Sequence, residues 1–180
     1  YGDARLPEGR TFRDIRLHDI NQISGLKYAD ISPTPFVPSA KDSRDTRCAE
    51  IFHIQSAALA KRFEHTRAVK AVVGISGGLD STLALLVCIE TFKLLKRDPK
   101  NIVTITMPGF GTTPRTYNNA LALCRRLGTD LREIDIKPAC LQHFSDIGHD
   151  PAVCNITYEN VQARERTQLL MDIANREGGL

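Results

Sequence analysis

The stretch Gly74-Ile75-Ser76-Gly77-Gly78-Leu79-Asp80-Ser81 brings two hydroxyls, one carboxylate and three glycines together within eight positions. The adjacent glycines allow φ > 0 and let a ligand approach the main chain closely. If a helix begins here, its free N–H groups carry roughly half a unit of positive charge. A cup of this kind binds phosphate or pyrophosphate. Asp80 would repel bound phosphates unless a divalent cation lay between them, which points to Mg²⁺.

The flanking residues say what must hold this cup. Ala71 to Ile75 is a short β-branched run that fits a buried strand, although a buried helix segment has the same pattern at this length. Leu83 to Ile89 is apolar on nearly every side, as in a helix sandwiched inside a domain. The octet is therefore a strand-to-helix turn. It contains neither G-x-x-x-x-G-K-[ST] nor G-x-G-x-x-G, which removes the Walker loop and the dinucleotide fingerprint. Gly74-x-Ser76-x-Gly78 does match a hydrolase nucleophile elbow, with Ser76 as nucleophile and His143 or His149 downstream as the base. Such an elbow usually follows several strands, whereas only a proline-rich arm and one helix precede this one. Ser-Gly-Gly-x-Asp-Ser also looks like the signature of ATP pyrophosphatases, which gives Asp80 and Ser81 a use that the elbow leaves idle. A serine hydrolase, an ATP-using enzyme and a non-catalytic nucleotide-binding module all remain open on the octet alone.

The rest of the chain supplies walls. At 180 residues with 42% hydrophobic content it is long enough for a real core, and a net charge of +3 gives no argument for nucleic acid. No stretch reaches the length of a membrane span, and Cys48, Cys88, Cys124, Cys140 and Cys154 form no C-x-x-C. They read as reduced core thiols of a cytoplasmic protein. Residues 1–45, with Arg10, Arg13, Arg16, Pro33, Pro35 and Pro38, read as an irregular arm or interdomain connector, and residues 46–180 as the folded part. Cys48, Ile51, Phe52, Gln55, Leu59 and Phe63 recur at helical spacing. Ile102 to Met107 is a second strand, which makes the intervening helix a parallel crossover. Thr113 caps a helix with Pro114 in its first position and Gly128 at its stop, and Leu131 to Ile136 is a third, edge strand. Pro138 opens a short helix, and Thr157 is expected to cap a long one ending at Gly178-Gly179, with Asn160 and Arg164 on one polar face. In open parallel sheets ligands sit at the carboxyl ends of the strands, so the loop with Gly109 and Gly111 should face the cup. The Asn155-Ile156-Thr157 sequon carries no meaning without secretion.

Taken in order, several motifs combine. They are Phe36-Val37-Pro38, Glu50-Ile51-Phe52, Ser-Gly-Gly-Leu-Asp-Ser, Met107-Pro-Gly-Phe-Gly-Thr, Asn118-Asn119-Ala120, Glu133-Ile-Asp-Ile and Thr157-Tyr-Glu-Asn-Val-Gln-Ala-Arg. Over about residues 36 to 180 this order resembles glutamine-dependent NAD⁺ synthetase, an ATP pyrophosphatase. The resemblance implies an α/β fold, an open parallel sheet with flanking helices of the adenine nucleotide alpha hydrolase-like (Rossmann-like) kind. It implies ATP and Mg²⁺, and nicotinic acid adenine dinucleotide as the substrate that is amidated through an acyl-adenylate. It makes Gly74, Ile75, Ser76, Gly77, Gly78, Leu79, Asp80, Ser81 and Met107 the ATP-binding set. Asp80 and Ser76 become the catalytic candidates, Asp80 the metal ligand, and Asn160 and Arg164 the dinucleotide contacts. In the family a further strand follows the Gly-Gly stop and lies beside the first strand. The expectation is therefore a fragment with a sheet incomplete at its C-terminus, prone to form a homo-oligomer and inactive alone. The ammonia-generating amidase is also expected to be absent from this chain.

Overall fold

The computed structural model describes residues 34–38 and 40–180. Most of the expected arm, including Arg10, Arg13, Arg16 and Pro33, lies outside the described residues. Among the described residues the chain runs through five α-helices and three strands: α1 (Lys41–Thr66), β1 (Ala71–Gly74), α2 (Leu79–Leu94), β2 (Ile102–Thr106), α3 (Pro114–Leu127), β3 (Asp130–Glu133), α4 (Lys137–Asp146) and α5 (Ile156–Glu177). The strands pair in parallel in the order β1-β2-β3. This is the expected open α/β sheet flanked by helices.

β2 shows why the sheet has two cores. All five of its residues are buried, because helices cover both faces and successive side chains point opposite ways. Ile102 joins Phe63, Leu85, Ile89, Phe92 and Cys124 under α1, α2 and α3. Val103 and Ile105 join Phe144, Val161 and Ile173 under α4 and α5. Thr104, on the Ile102 face, shares a hydrogen bond of 2.9 Å with the Thr129 hydroxyl, which satisfies it inside the first core. Phe63 of α1 meets Phe92 of α2 edge to face at 5.2 Å, and the Arg97 guanidinium lies over both rings while donating to the Ala68 carbonyl.

Several boundaries move. α1 starts at Lys41, earlier than the expected Thr46, and only its second half packs. Ser56, Ala60 and Phe63 are buried, whereas Cys48 and Ile51, expected on the core stripe, are exposed. α2 is likewise sandwiched only from Leu85 onward, and Leu79 at its start is 84% exposed. β3 ends at Glu133, yet Ile134 still donates to the Thr106 carbonyl at 3.0 Å before Asp135 turns the chain into α4. Of the five cysteines, Cys88, Cys124 and Cys140 are buried and Cys48 and Cys154 are exposed. Burial pushes the Cys88 thiol up to about 11.

The cap of α3 is as expected, with the Thr113 hydroxyl accepting from the Thr116 amide, Pro114 in the first turn and Gly128 left-handed at φ 71°. The cap of α5 is not Thr157. The Asn155 side chain accepts from the Thr157 and Tyr158 amides, so the asparagine of the apparent sequon closes the helix end. After α5, Gly179 and Leu180 run parallel to the start of β1, with Leu180 donating to the Lys70 carbonyl and accepting from the Val72 amide. They take the position beside β1, on the side away from β2.

Candidate nucleotide site

β1 delivers the chain to the cup. Ile75 is buried and its amide donates to the Ile105 carbonyl at 2.8 Å, so the turn starts from a fixed point on the sheet. Gly77 then adopts φ 81°, and a Cβ on it would stand 2.1 Å from the Thr116 carbonyl oxygen. The turn is pressed against the first turn of α3, and only glycine has both the conformation and the room. Gly78 begins α2 with no side-chain cap, which leaves the first-turn amides of that helix available to an anion.

The two serine hydroxyls are bonded to each other and to the backbone of the turn. Ser76 Oγ and Ser81 Oγ share a hydrogen bond at 3.1 Å, Ser76 Oγ accepts from the Gly78 amide, and Ser81 Oγ accepts from the Ser76 amide. They brace the cup, and the first turn of α2 has no side-chain cap. Among the described residues no histidine hydrogen-bonds Ser76: His149 packs on the Phe144 ring and pairs with the Val153 carbonyl, and His143 sits exposed on α4. The nucleophile-elbow geometry thus lacks its base among the described residues.

The cup opens into a cavity of about 510 Å³ at the carboxyl ends of β1 and β2. Of the residues expected to bind ATP, Gly74, Ile75, Ser76, Gly78 and Met107 line it, while Gly77, Leu79, Asp80 and Ser81 do not. Asp80 is exposed in the first turn of α2. Among the described residues no group of three or more His, Cys, Asp or Glu side chains could hold a metal. A lone carboxylate still suits Mg²⁺, which keeps most of its waters and shares phosphate oxygens with a nucleotide.

The opposite wall is one face of α5. Glu159, Gln162, Arg166 and Leu170 follow each other at spacings of three and four and all reach the cavity. Gly74 makes room for this helix, since a Cβ there would stand 3.0 Å from Leu170 Cδ1. The loop between β2 and α3 closes the top. Gln162, only 4% exposed, accepts from the Phe110 amide at 3.1 Å and donates to the Tyr158 carbonyl. Arg166 Nε donates to the Met107 carbonyl at 3.3 Å. The Phe110 ring packs 5.7 Å from Tyr158, which stacks on Phe144. Gly111 lines the cavity, and Gly109 abuts the two α5 side chains instead.

Asn160 and Arg164 lie elsewhere. Both are exposed, and Arg164 lines a separate groove of about 460 Å³ on the outer side of α5 with Thr167, Gln168 and Met171. A shift of two residues turns a helix by roughly 200°, so the polar stripe legible in the sequence and the stripe that lines the cavity are different faces. Gln162, Arg166 and Thr116 were missed. The spacing of Gln162 and Arg166 is visible in the sequence, but nothing local separates it from an ordinary solvated pair.

A family model described as NAD synthase matches residues 51–180. Over 155 residues the chain is 38% identical to the glutamine-dependent NAD(+) synthetase of Mycobacterium leprae, which is 84% of this chain and 23% of that one. The NH(3)-dependent NAD(+) synthetase of Hyperthermus butylicus is 33% identical over 116 residues, 64% of this chain and 40% of its own. Among solved structures, glutamine-dependent NAD+ synthetase from Acinetobacter baumannii in complex with ADP superposes with a TM-score of 0.66 at 26% identity, covering 73% of this chain and 24% of that one. The NH3-dependent NAD synthetase of Campylobacter jejuni shares the fold at a TM-score of 0.63 and 22% identity, over 73% and 54% of the two chains. The chain spans about a quarter of the length of the first curated relatives it matches.

Proposed function

The chain belongs to the NAD synthase family, and from that membership we propose that it carries the nucleotide-binding part of an enzyme that amidates nicotinic acid adenine dinucleotide to NAD⁺. A carboxylate oxygen of the pyridine ring attacks the α-phosphorus of ATP, and the bond to pyrophosphate breaks. Ammonia then attacks the acyl carbon, and AMP leaves with the bond's electron pair. The observation that carries this reading is the uncapped start of α2, held open by the Ser76–Ser81 brace at the mouth of a cavity. The related Acinetobacter baumannii structure was solved with ADP, which supports a nucleotide here.

Each residue has a task of position or charge, and no protein nucleophile is required. The amides after Gly78 receive the phosphates. Asp80 would hold Mg²⁺ arriving with the nucleotide, and the ion would supply charge neutralisation for the phosphates. Met107, in the cavity wall, borders the nucleotide. Asn160 and Arg164 contact the dinucleotide substrate from the outer face of α5, and self-association over that groove belongs to the same proposal. The amidase that supplies ammonia would be a separate domain or protein, and the reaction would occur in the cytoplasm, where the free thiols stay reduced.

ATP–pyrophosphate exchange dependent on Mg²⁺ and nicotinic acid adenine dinucleotide tests the reading. Exchange should be absent with the wild-type chain alone, appear when it is supplemented with the remainder of a relative's synthetase domain, and fall at least a hundredfold in Asp80→Asn. ATP binding without exchange in either setting would make the chain a binding module. Stoichiometric fluorophosphonate labelling of Ser76 would make it a hydrolase.

A further inference from the structure

Arg166 is the one cationic side chain lining the cavity among the described residues. Its Nε is committed to the Met107 carbonyl, and its guanidinium makes no ion pair among the described residues. Glu159, two turns earlier on the same helix face, forms no ion pair either, so the two charges do not cancel each other. A guanidinium fixed through one nitrogen and bordering a cavity keeps its other N–H groups for the paired oxygens of an anion such as phosphate.

Arg166 and Gln162 flank Gly109 from α5. Gln162 is buried one turn before Arg166, with both ends of its amide used, on the Phe110 amide and the Tyr158 carbonyl. Gly109 closes the arrangement, because a Cβ on it would stand 2.5 Å from Gln162 Oε1 and 2.6 Å from Arg166 Nη2. The glycine is there for close approach; its φ is not left-handed. The Gly109 amide is in turn held by the Thr112 hydroxyl at 2.9 Å, which fixes the loop against α5.

We propose that Arg166 binds a phosphate of the adenine nucleotide from the wall opposite the Ser-Gly-Gly cup, and that Gln162 is the positioning residue that holds it there across Gly109. This rests on the reading above that the cavity takes an adenine nucleotide. The phosphate would then be gripped from two sides, by the α2 amides and by a charged fork from α5, which fixes its orientation as well as its affinity.

The experiment is isothermal titration of the chain with adenosine, AMP and ATP, with circular dichroism and Tm recorded for each variant. Wild type should bind AMP and ATP more tightly than adenosine. Arg166→Gln should reduce that preference by about tenfold or more, the usual weight of a charge-assisted hydrogen bond, while adenosine affinity stays the same. Arg166→Lys should keep part of the preference. Gln162→Leu and Gly109→Ala should lower it without removing a charge, a result that a purely structural role would not give, because general loosening weakens all three ligands alike. If Arg166→Gln does not fold, the ratio in Gly109→Ala decides. An unchanged nucleotide-to-adenosine ratio in the folded variants overturns the role of Arg166 and leaves the nucleotide reading standing. Wild-type protein that binds none of the three overturns both.

Discussion

The two ends of the sheet use polar side chains in opposite ways. At the amino end, Lys70, Arg132 and Arg176 close on Glu177, and Arg132 also holds Asp130 at 2.7 Å. The cations hold the Glu177 carboxyl down at about 2, with Arg132 the largest influence. At the carboxyl end, Asp80, Glu159 and Arg166 have no ion pair among the described residues, and the first turn of α2 has no cap. α5 connects the two, starting beside the cavity under its Asn155 cap and ending in the charge cluster. Charges that satisfy each other fix the helix, and charges left without partners are available to a ligand. The amino end therefore reads as structure and the carboxyl end as site.

Substitutions at either end should separate these roles. Gly77→Ala attacks the site end most severely, because the added carbon meets the Thr116 carbonyl in a left-handed conformation. It should cost roughly 2 kcal/mol or more in urea unfolding and remove nucleotide binding. Asn155→Ala removes two accepted amide bonds at the start of α5 and should cost about 1 kcal/mol. Because that helix start carries Glu159 and Gln162, nucleotide affinity should weaken as well.

Glu177→Gln attacks the other end. It should lower Tm and leave the AMP-to-adenosine affinity ratio unchanged, and a shift in that ratio would break the division of labour between the two ends. The same pairing has a pH signature. The folded carboxyl sits at about 2, below its ordinary 4.5, so its stabilisation is complete above pH 4.5 and is lost as pH falls from there toward 2. The Tm gap between wild type and Glu177→Gln should close over that window. The smallest effect is salt, which should narrow the same gap only slightly, since Glu177, Lys70 and Arg132 are 17–28% exposed and partly shielded from ions.

The elements bordering the site were legible where one residue type does one local job. Thr113, Pro114 and Gly128 mark both ends of α3 because capping, a fixed φ and a left-handed stop are all decided within a few residues. Asn155 was misread for the same kind of reason: Asn and Thr are both good caps, two positions apart, and the backbone decides between them. The outer half of α1 was assigned a core face because Cys48 and Ile51 continue the spacing of Leu59 and Phe63, yet periodicity cannot show where the neighbouring helix ends.

What the sequence determined by itself was the cup and the fold class. Adjacent glycines, a strand before and a helix after are consequences of covalent chemistry and short-range pattern, and so is the parallel α/β alternation. What only the tertiary structure decided was which face of α5 meets the cup. Asn160 and Arg164 stand out in the sequence, but the cavity receives Glu159, Gln162 and Arg166. Helix rotation follows from how Val161 and Ile173 bury against β2 and how Leu170 fits over Gly74, contacts made across the chain and invisible to local spacing. The division of the serines was decided in the same way. Their presence is sequence, but their bond to each other depends on a turn pressed against α3.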